Sequence, residues 1–214
     1  MERFTRLQGV AVPLLRDNID TDLIIRVERL FNAVPRADLG LYCFESLRTL
    51  PDGSKDPALA LNDPRYQAAS ILLAGRNFGC GSAREGAVWA LAGMGIRCVI
   101  APSLADLFVA NCFQNGILAF ALEESAIIGM VAAIEPDPQN RQLTVDLEQQ
   151  QVVFPAGDII PFTIPRRRRE ALLEGLDEIQ LTLKQQPRIS AYHQQDRQSR
   201  PWIYDVRDHS EPPH

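Results

Sequence analysis

The chain has 214 residues, 46% of them hydrophobic and 23% charged, with a net charge of -5. These values fit a water-compatible fold with one sizeable core and weigh against a nucleic-acid binder, which needs a basic surface. No apolar run approaches the ~20 residues of a membrane span, and the opening MERFTRLQG lacks a secretory apolar region, so a cytoplasmic protein without membrane contact is expected.

In chain order, Gly9 to Leu15 reads as a strand, placed at a sheet edge because Pro13 has no N–H for a ladder. Asp17-Asn18-Ile19-Asp20-Thr21-Asp22 reads as a turn with an Asx cap before the apolar Leu23-Ile24-Ile25; its acids lack the further ligands of a calcium loop. Residues 26 to 68 are turn-rich and long for a connection inside a compact domain, which suggests a functional region, and the part from Arg26 to Lys55 is expected to be mobile.

Ala69 to Asn115 carries the densest signals. Ile71-Leu72-Leu73-Ala74 is an unbroken apolar run typical of a strand buried on both faces. Gly79 and Gly81 bracket Cys80, and Ser82-x-x-Glu85 has the form of a capping box, placing a helix start near Ser82. Cys98-Val99-Ile100-Ala101 is the next strand, and Ser103-x-x-Asp106 reads as a second cap. Strand, helix and strand of these lengths form a parallel crossover unit, hence an α/β fold with a parallel strand-helix-strand core in a mixed sheet.

Further on, Ile117 to Leu122 reads as a strand and Ser125 to Ile134 as a helix. Leu143–Leu147 and Gln151–Phe154 read as a hairpin, and a last short strand lies around Ile159 to Ile164. The run Arg166 to Arg169 is followed by Glu170 and Glu174, which reads as a solvated helix face. Residues 1–198 are expected to form one domain, with 199–214 a flexible tail whose Trp202 and Tyr204 are candidates for docking on a partner. Cys43, Cys80, Cys98 and Cys112 show neither disulfide nor cluster-ligand spacing; Cys80 is the one placed for reactivity.

The residues of the glycine loop admit three readings. One is a tight turn before a capped helix. A second, a nucleotide-phosphate loop, fails because Arg84 stands where a third glycine would be and no G-x-x-x-x-G-K-[ST] occurs. In the third, Ser82 is reactive and Arg84 clamps a carboxylate, with free N–H groups around Gly81 and Ala83 favouring an oxyanion. Local physics leaves the first and third open.

The whole segment goes further. N-F-G-C-G-S-A-R-E, then V-W-A-L and V-I-A-P-S-L-A-D-L-F, together with N-I-D-T-D-L-I-I near the start and G-L-D-E-I late in the chain, resembles the 3-isopropylmalate dehydratase (isopropylmalate isomerase) small subunits of the aconitase superfamily. The resemblance covers about residues 6 to 195. It implies the swivelling β/β/α domain of that superfamily and a heterodimer or larger assembly with a large subunit. That partner would hold a four-iron four-sulfur cluster acting as a Lewis acid, with no cofactor in this chain. The implied reaction is a hydro-lyase isomerisation of 2-isopropylmalate, in leucine biosynthesis, by loss and return of water. Ser82 takes the position of the base, Arg84 that of a carboxylate clamp and Asp22 that of the acid orienting an arginine. Arg36, in the loop that reads the substrate side group, becomes a carboxylate ligand, although a solvated arginine reads equally well.

The sequence departs from the family pattern at several places. Arg26 replaces a proline, Leu30-Phe31 a Leu-Lys pair, and Val34-Pro35-Arg36-Ala37-Asp38 stands where V-T-R-T-G is common. Relatives read G-S-S-R-E-H-A where this chain has Ala83 and Gly86, so one hydroxyl and one imidazole are missing. This leaves two alternatives open: a dehydratase for another substituted malate, and a catalytically silent partner subunit. A free-standing binder of small anions is a third.

Overall fold

In a computed structural model, which describes residues 1–31 and 34–204, the chain divides into two compact units, Met1–Gly175 and Leu176–His214. The first opens with β1 (Arg6–Leu14), followed by two short helices, α1 (Thr21–Ile24) and α2 (Val27–Phe31). A 3-10 turn over Arg36–Tyr42 and α3 (Glu45–Arg48) follow, and two further 3-10 turns lead into β2 (Ala69–Ala74). Then come α4 (Glu85–Gly93), β3 (Cys98–Ala101), α5 (Asp106–Gln114), β4 (Leu118–Ala121) and α6 (Glu124–Ile134). The unit closes with β5 (Leu143–Asp146), β6 (Gln151–Val153), β7 (Ile159–Pro161) and α7 (Arg166–Glu174).

The seven strands form one mixed sheet in the order β4-β3-β2-β1-β5-β6-β7. β1 to β4 are parallel neighbours, while β5, β6 and β7 continue antiparallel from β1. Alternate strand residues feed two cores. Val12, Leu72 and Val99 face one side with Val88 and Leu91 of α4; Ala11, Ile71 and Ile100 face the other with Ile127 and Met130 of α6. Burial on both faces is why these strands read as continuous apolar runs rather than alternating ones.

β1 is central, not at an edge. Its first half, Arg6–Gly9, pairs with β5, and after an irregularity between Val10 and Ala11 its second half pairs with β2. Since β5 reaches only Gly9, the β1 backbone at Pro13 has a ladder on one side alone, and the proline is tolerated there.

The region from 26 to 68 is better knitted than its composition suggests. Leu39, Cys43, Phe44, Leu61 and Tyr66 are buried in the α4-side core, and Arg29 makes a two-pronged ion pair with Glu45 (3.0 and 2.6 Å). The arginine run is only partly solvated. Arg166 pairs with Glu170, Arg168 lies over the Phe113 ring, and Arg169 donates to the carbonyls of Leu147 and Glu148.

The second unit contains α8 (Glu178–Leu183), α9 (Gln186–Ser199) and a 3-10 turn over Pro201–Ile203. α8 begins with a reciprocal capping box between Asp177 and Gln180. The start of the expected tail is folded back: Tyr204 O–H donates to Asp196 (2.7 Å). The rest of that tail, from residue 205, lies outside the described residues.

Candidate active site

The parallel pairing of β1 and β2 continues in looser form beyond their carboxyl ends. The amide of Asn18 donates to Arg76 O (2.9 Å), that of Gly79 to Ile19 O (2.7 Å), and that of Thr21 to Cys80 O (3.1 Å). The two loops thus run side by side. One delivers Asp22 on α1, whose N-cap Asp20 accepts from the Leu23 amide (2.7 Å). The other delivers Ser82, Ala83 and Arg84.

Turn chemistry makes this path possible. Gly79 and Gly81 have φ of +74° and +83°, a region costly for residues with a Cβ. A Cβ on Gly79 would lie 2.2 Å from Phe108 Cγ, because Phe78 and Phe108 pack edge to face (5.4 Å between ring centroids) directly beneath the loop. Asn18 and Asn77 also take left-handed conformations, and Asn77 Nδ2 of the side chain donates to Asn18 Oδ1 (2.8 Å), clasping the loops at their base.

The helix does not begin at Ser82. α4 starts at Glu85 with Arg84 as its N-cap, and no side chain caps it. Ser82 and Ala83 are exposed in a tight turn in which the Arg84 amide donates to Ser82 O (2.7 Å). Glu85, the other half of the expected box, accepts instead from Asn115 Nδ2 (2.8 Å). The second expected cap is also spent elsewhere: Ser103 Oγ accepts from the Asn77 amide (2.8 Å), and α5 is capped by Ala105 without a side-chain bond. Gly81 and Ala83 therefore precede the positive end of α4 rather than forming it.

The Arg84 guanidinium bonds the Asp22 carboxylate, with Arg84 about one quarter and Asp22 about half exposed. Arg36 stands apart from this pair. Its guanidinium lies over the Trp89 ring (4.5 Å) and donates to Asn115 Oδ1 (2.5 Å), so an indirect chain runs from Arg36 through Asn115 to Glu85 at the start of α4. At Gly86 a Cβ would sit 2.6 Å from both Leu30 methyls, so Leu30 of α2 occupies the space above the first turn of α4.

Sequence reasoning assigned no role to Thr21, Asn18, Asn77 or Asn115. Thr21 is 1% exposed and donates its hydroxyl to Ser82 O (2.9 Å). A polar residue between two aspartates reads as turn surface, and only the fold reveals that it points inward.

Among the described residues no three His, Cys, Asp or Glu side chains converge into a metal site. Cys43, Cys98 and Cys112 are buried, and desolvation pushes all three thiols well above the ordinary cysteine range. Cys80 is partly exposed beside the site. Among the described residues no helix is long and apolar enough to cross a membrane.

Comparison with known proteins agrees with this architecture. Residues 1–125 match the Aconitase C-terminal domain model and residues 132–165 the LeuD_N model. The 3-isopropylmalate dehydratase small subunit of Rhodospirillum centenum is 50% identical over 202 residues, covering 94% of this chain and 98% of the relative. That of Cupriavidus necator is 48% identical, with coverages of 95% and 99%. The crystal structure of 3-isopropylmalate dehydratase (leuD) from Methanocaldococcus jannaschii superposes with a TM-score of 0.61 at 23% identity, covering 87% of this chain and 99% of that one, a likeness of fold. With near-complete coverage at such identities, the chain belongs to the 3-isopropylmalate dehydratase small subunit family of the aconitase superfamily.

Proposed function

We propose that this chain, joined to a large subunit, isomerises 2-isopropylmalate to 3-isopropylmalate by removing and returning water, and that Ser82, Arg84 and Asp22 form its share of the site. The observation that carries the reading is the convergence of these three residues at the carboxyl ends of β1 and β2 in a chain half identical to a named small subunit.

The chemistry suits the residue types. The carbon that loses its proton lies next to a carboxylate, so a base must work close to a cation that holds the dianion still. Ser82, exposed and without a partner for its Oγ among the described residues, takes the proton as alkoxide. Arg84 clamps the neighbouring carboxylate through the N–H groups left free by Asp22, and Asp22 fixes the plane of that clamp. The free N–H groups in the first turn of α4 add positive potential just beyond. Arg36, already committed to Trp89 and Asn115, shapes the side-group wall by holding the 3-10 turn against α4.

A four-iron four-sulfur cluster in the large subunit would supply Lewis acidity towards the departing hydroxyl; the described residues of this chain do not fit such a group. The soluble composition suits work in the cytoplasm.

The test is anaerobic co-expression with the large subunit and an alkene-absorbance assay on 2-isopropylmalate and other substituted malates. Turnover of isopropylmalate that vanishes in Ser82→Ala while the complex still assembles is expected. Ala83, lacking the hydroxyl of relatives, favours the second reading, a dehydratase for a different malate, and a stronger preference for another diacid would select it. Turnover unchanged in Ser82→Ala would reduce the chain to a silent partner.

A further inference from the structure

Resting on the reading of Ser82 as the base, we propose that Thr21 is the positioning residue that aims Ser82, through its hydroxyl and not through its bulk. Ser82 sits where nothing regular holds it. It is exposed, follows left-handed Gly79 and Gly81, and precedes α4 by three residues. A base must lie within hydrogen-bond reach of the proton it removes, and a misplacement of about 1 Å can cost ~100-fold in rate.

Beyond the clasp at Asn18 and Asn77, three successive rungs tie the glycine loop to the neighbouring strand extension. Gly79 N–H donates to Ile19 O (2.7 Å), Thr21 N–H to Cys80 O (3.1 Å), and Thr21 Oγ1–H to Ser82 O (2.9 Å). The first two are backbone bonds that almost any sequence could make. The last is supplied by a side chain, and it falls on the residue that carries the chemistry. It fixes the peptide after Ser82 and with it the direction of the Cα–Cβ bond. The Arg84 amide reaches the same oxygen (2.7 Å), so the turn placing the clamp and the bond placing the base share one acceptor.

Thr21 suits the task better than a surface serine would. It is 1% exposed, its amide is bonded, and its β-branched side chain has few rotamers to explore. Its oxygen is therefore held before substrate arrives.

The test compares Thr21→Ser, Thr21→Val and Thr21→Ala in the assembled complex, with kcat counted per complex and a substrate deuterated at the carbon that loses its proton. If the hydroxyl positions Ser82, Thr21→Ser stays within about threefold of the parent. Thr21→Val and Thr21→Ala then both fall roughly 10- to 100-fold in kcat with little change in KM, and the deuterium isotope effect rises as proton removal becomes slower. If kcat instead follows volume, with Thr21→Val like the parent and Thr21→Ser like Thr21→Ala, the residue only packs and the inference is overturned. Should Thr21→Val fail to assemble, the contrast between Thr21→Ser and Thr21→Ala decides alone. Full turnover by Ser82→Ala would remove the base reading and this inference together, whereas loss of turnover there with volume-following kcat at Thr21 would remove this inference only.

Discussion

The guanidinium of Arg84 meets the carboxylate of Asp22 across 62 residues of sequence. The pair is too exposed to matter greatly for stability, since surface ion pairs contribute about 0–1 kcal/mol. Its value lies in orientation, because a guanidinium held on one edge presents its other edge in a fixed plane. Asp22→Asn keeps the shape and removes the charge. In the complex with the large subunit, kcat/KM is expected to fall about 10- to 100-fold while the melting temperature of the isolated chain moves by no more than about 2 °C. A large drop in melting temperature with intact kcat/KM would make the pair structural instead.

Gly79 and Gly81 share a sign of φ but not a surrounding. Alanine at 79 meets both backbone strain and the Phe108 ring at 2.2 Å, whereas at 81 the nearest atom is Asp20 Cβ at 3.4 Å. Strain costs about 1 kcal/mol, and overpacking a core adds roughly 1–3 kcal/mol. Denaturant unfolding should therefore rank Gly79→Ala as the more damaging, by about 2 kcal/mol over Gly81→Ala. Equal losses would mean that Phe108 yields without cost.

The region around the 3-10 turn Arg36–Tyr42 and α3 is polar in sequence yet anchored in structure. Phe44 is fully buried and its amide donates to Ile24 O (2.8 Å), while the Arg48 amide donates to Phe44 O (2.8 Å). Contrary to the mobility its composition suggests, the amides of Phe44 and Arg48 should exchange slowly in the isolated chain, about 100-fold or more behind the exposed turn at Gly53-Ser54-Lys55. Exchange of Phe44 as fast as that of Lys55 would restore the mobile-loop picture.

What the sequence made readable follows from where interactions lie along the chain. Strands β2, β3 and β4 announce themselves because burial on both faces demands unbroken apolar runs, and the β5–β6 hairpin because its residues alternate locally. Both Ser-x-x-acid signatures misled for the opposite reason. A capping box is favoured only when its side chains have no better partner, and here Glu85 is taken by Asn115 and Ser103 by Asn77, contacts across 30 and 26 residues. Pro13 misplaced β1 because the handover of partners midway along one strand is a property of the sheet, not of the segment. That Asp22 meets an arginine was legible from family resemblance, and the roles proposed for Ser82 and Arg84 rest on that resemblance, whereas the inward aim of Thr21 required knowing which way its side chain points.

The last prediction concerns the second unit, where Asp196 ties the end of α9 to the residues after it. Tyr204 O–H donates to one carboxylate oxygen (2.7 Å) and Arg200 Nε–H to the other (2.6 Å), and in that order these bonds hold the Asp196 carboxyl below the usual carboxylate range. Both favour the ionised form, so the folded state binds a proton less readily than the unfolded chain. The stabilisation is therefore fully present above the unfolded value, near pH 4, and is lost as pH falls through the lower folded-state value. Carboxyl carbon shifts should place the Asp196 midpoint below the ordinary aspartate value of about 3.9. Amide protection at Ile203 and Tyr204, corrected for intrinsic exchange, should decline over the same window. Asp196→Asn should remove the pH dependence and leave the protection low throughout. A midpoint at the ordinary aspartate value, or protection unchanged to pH 2, would show that the clasp does not depend on charge.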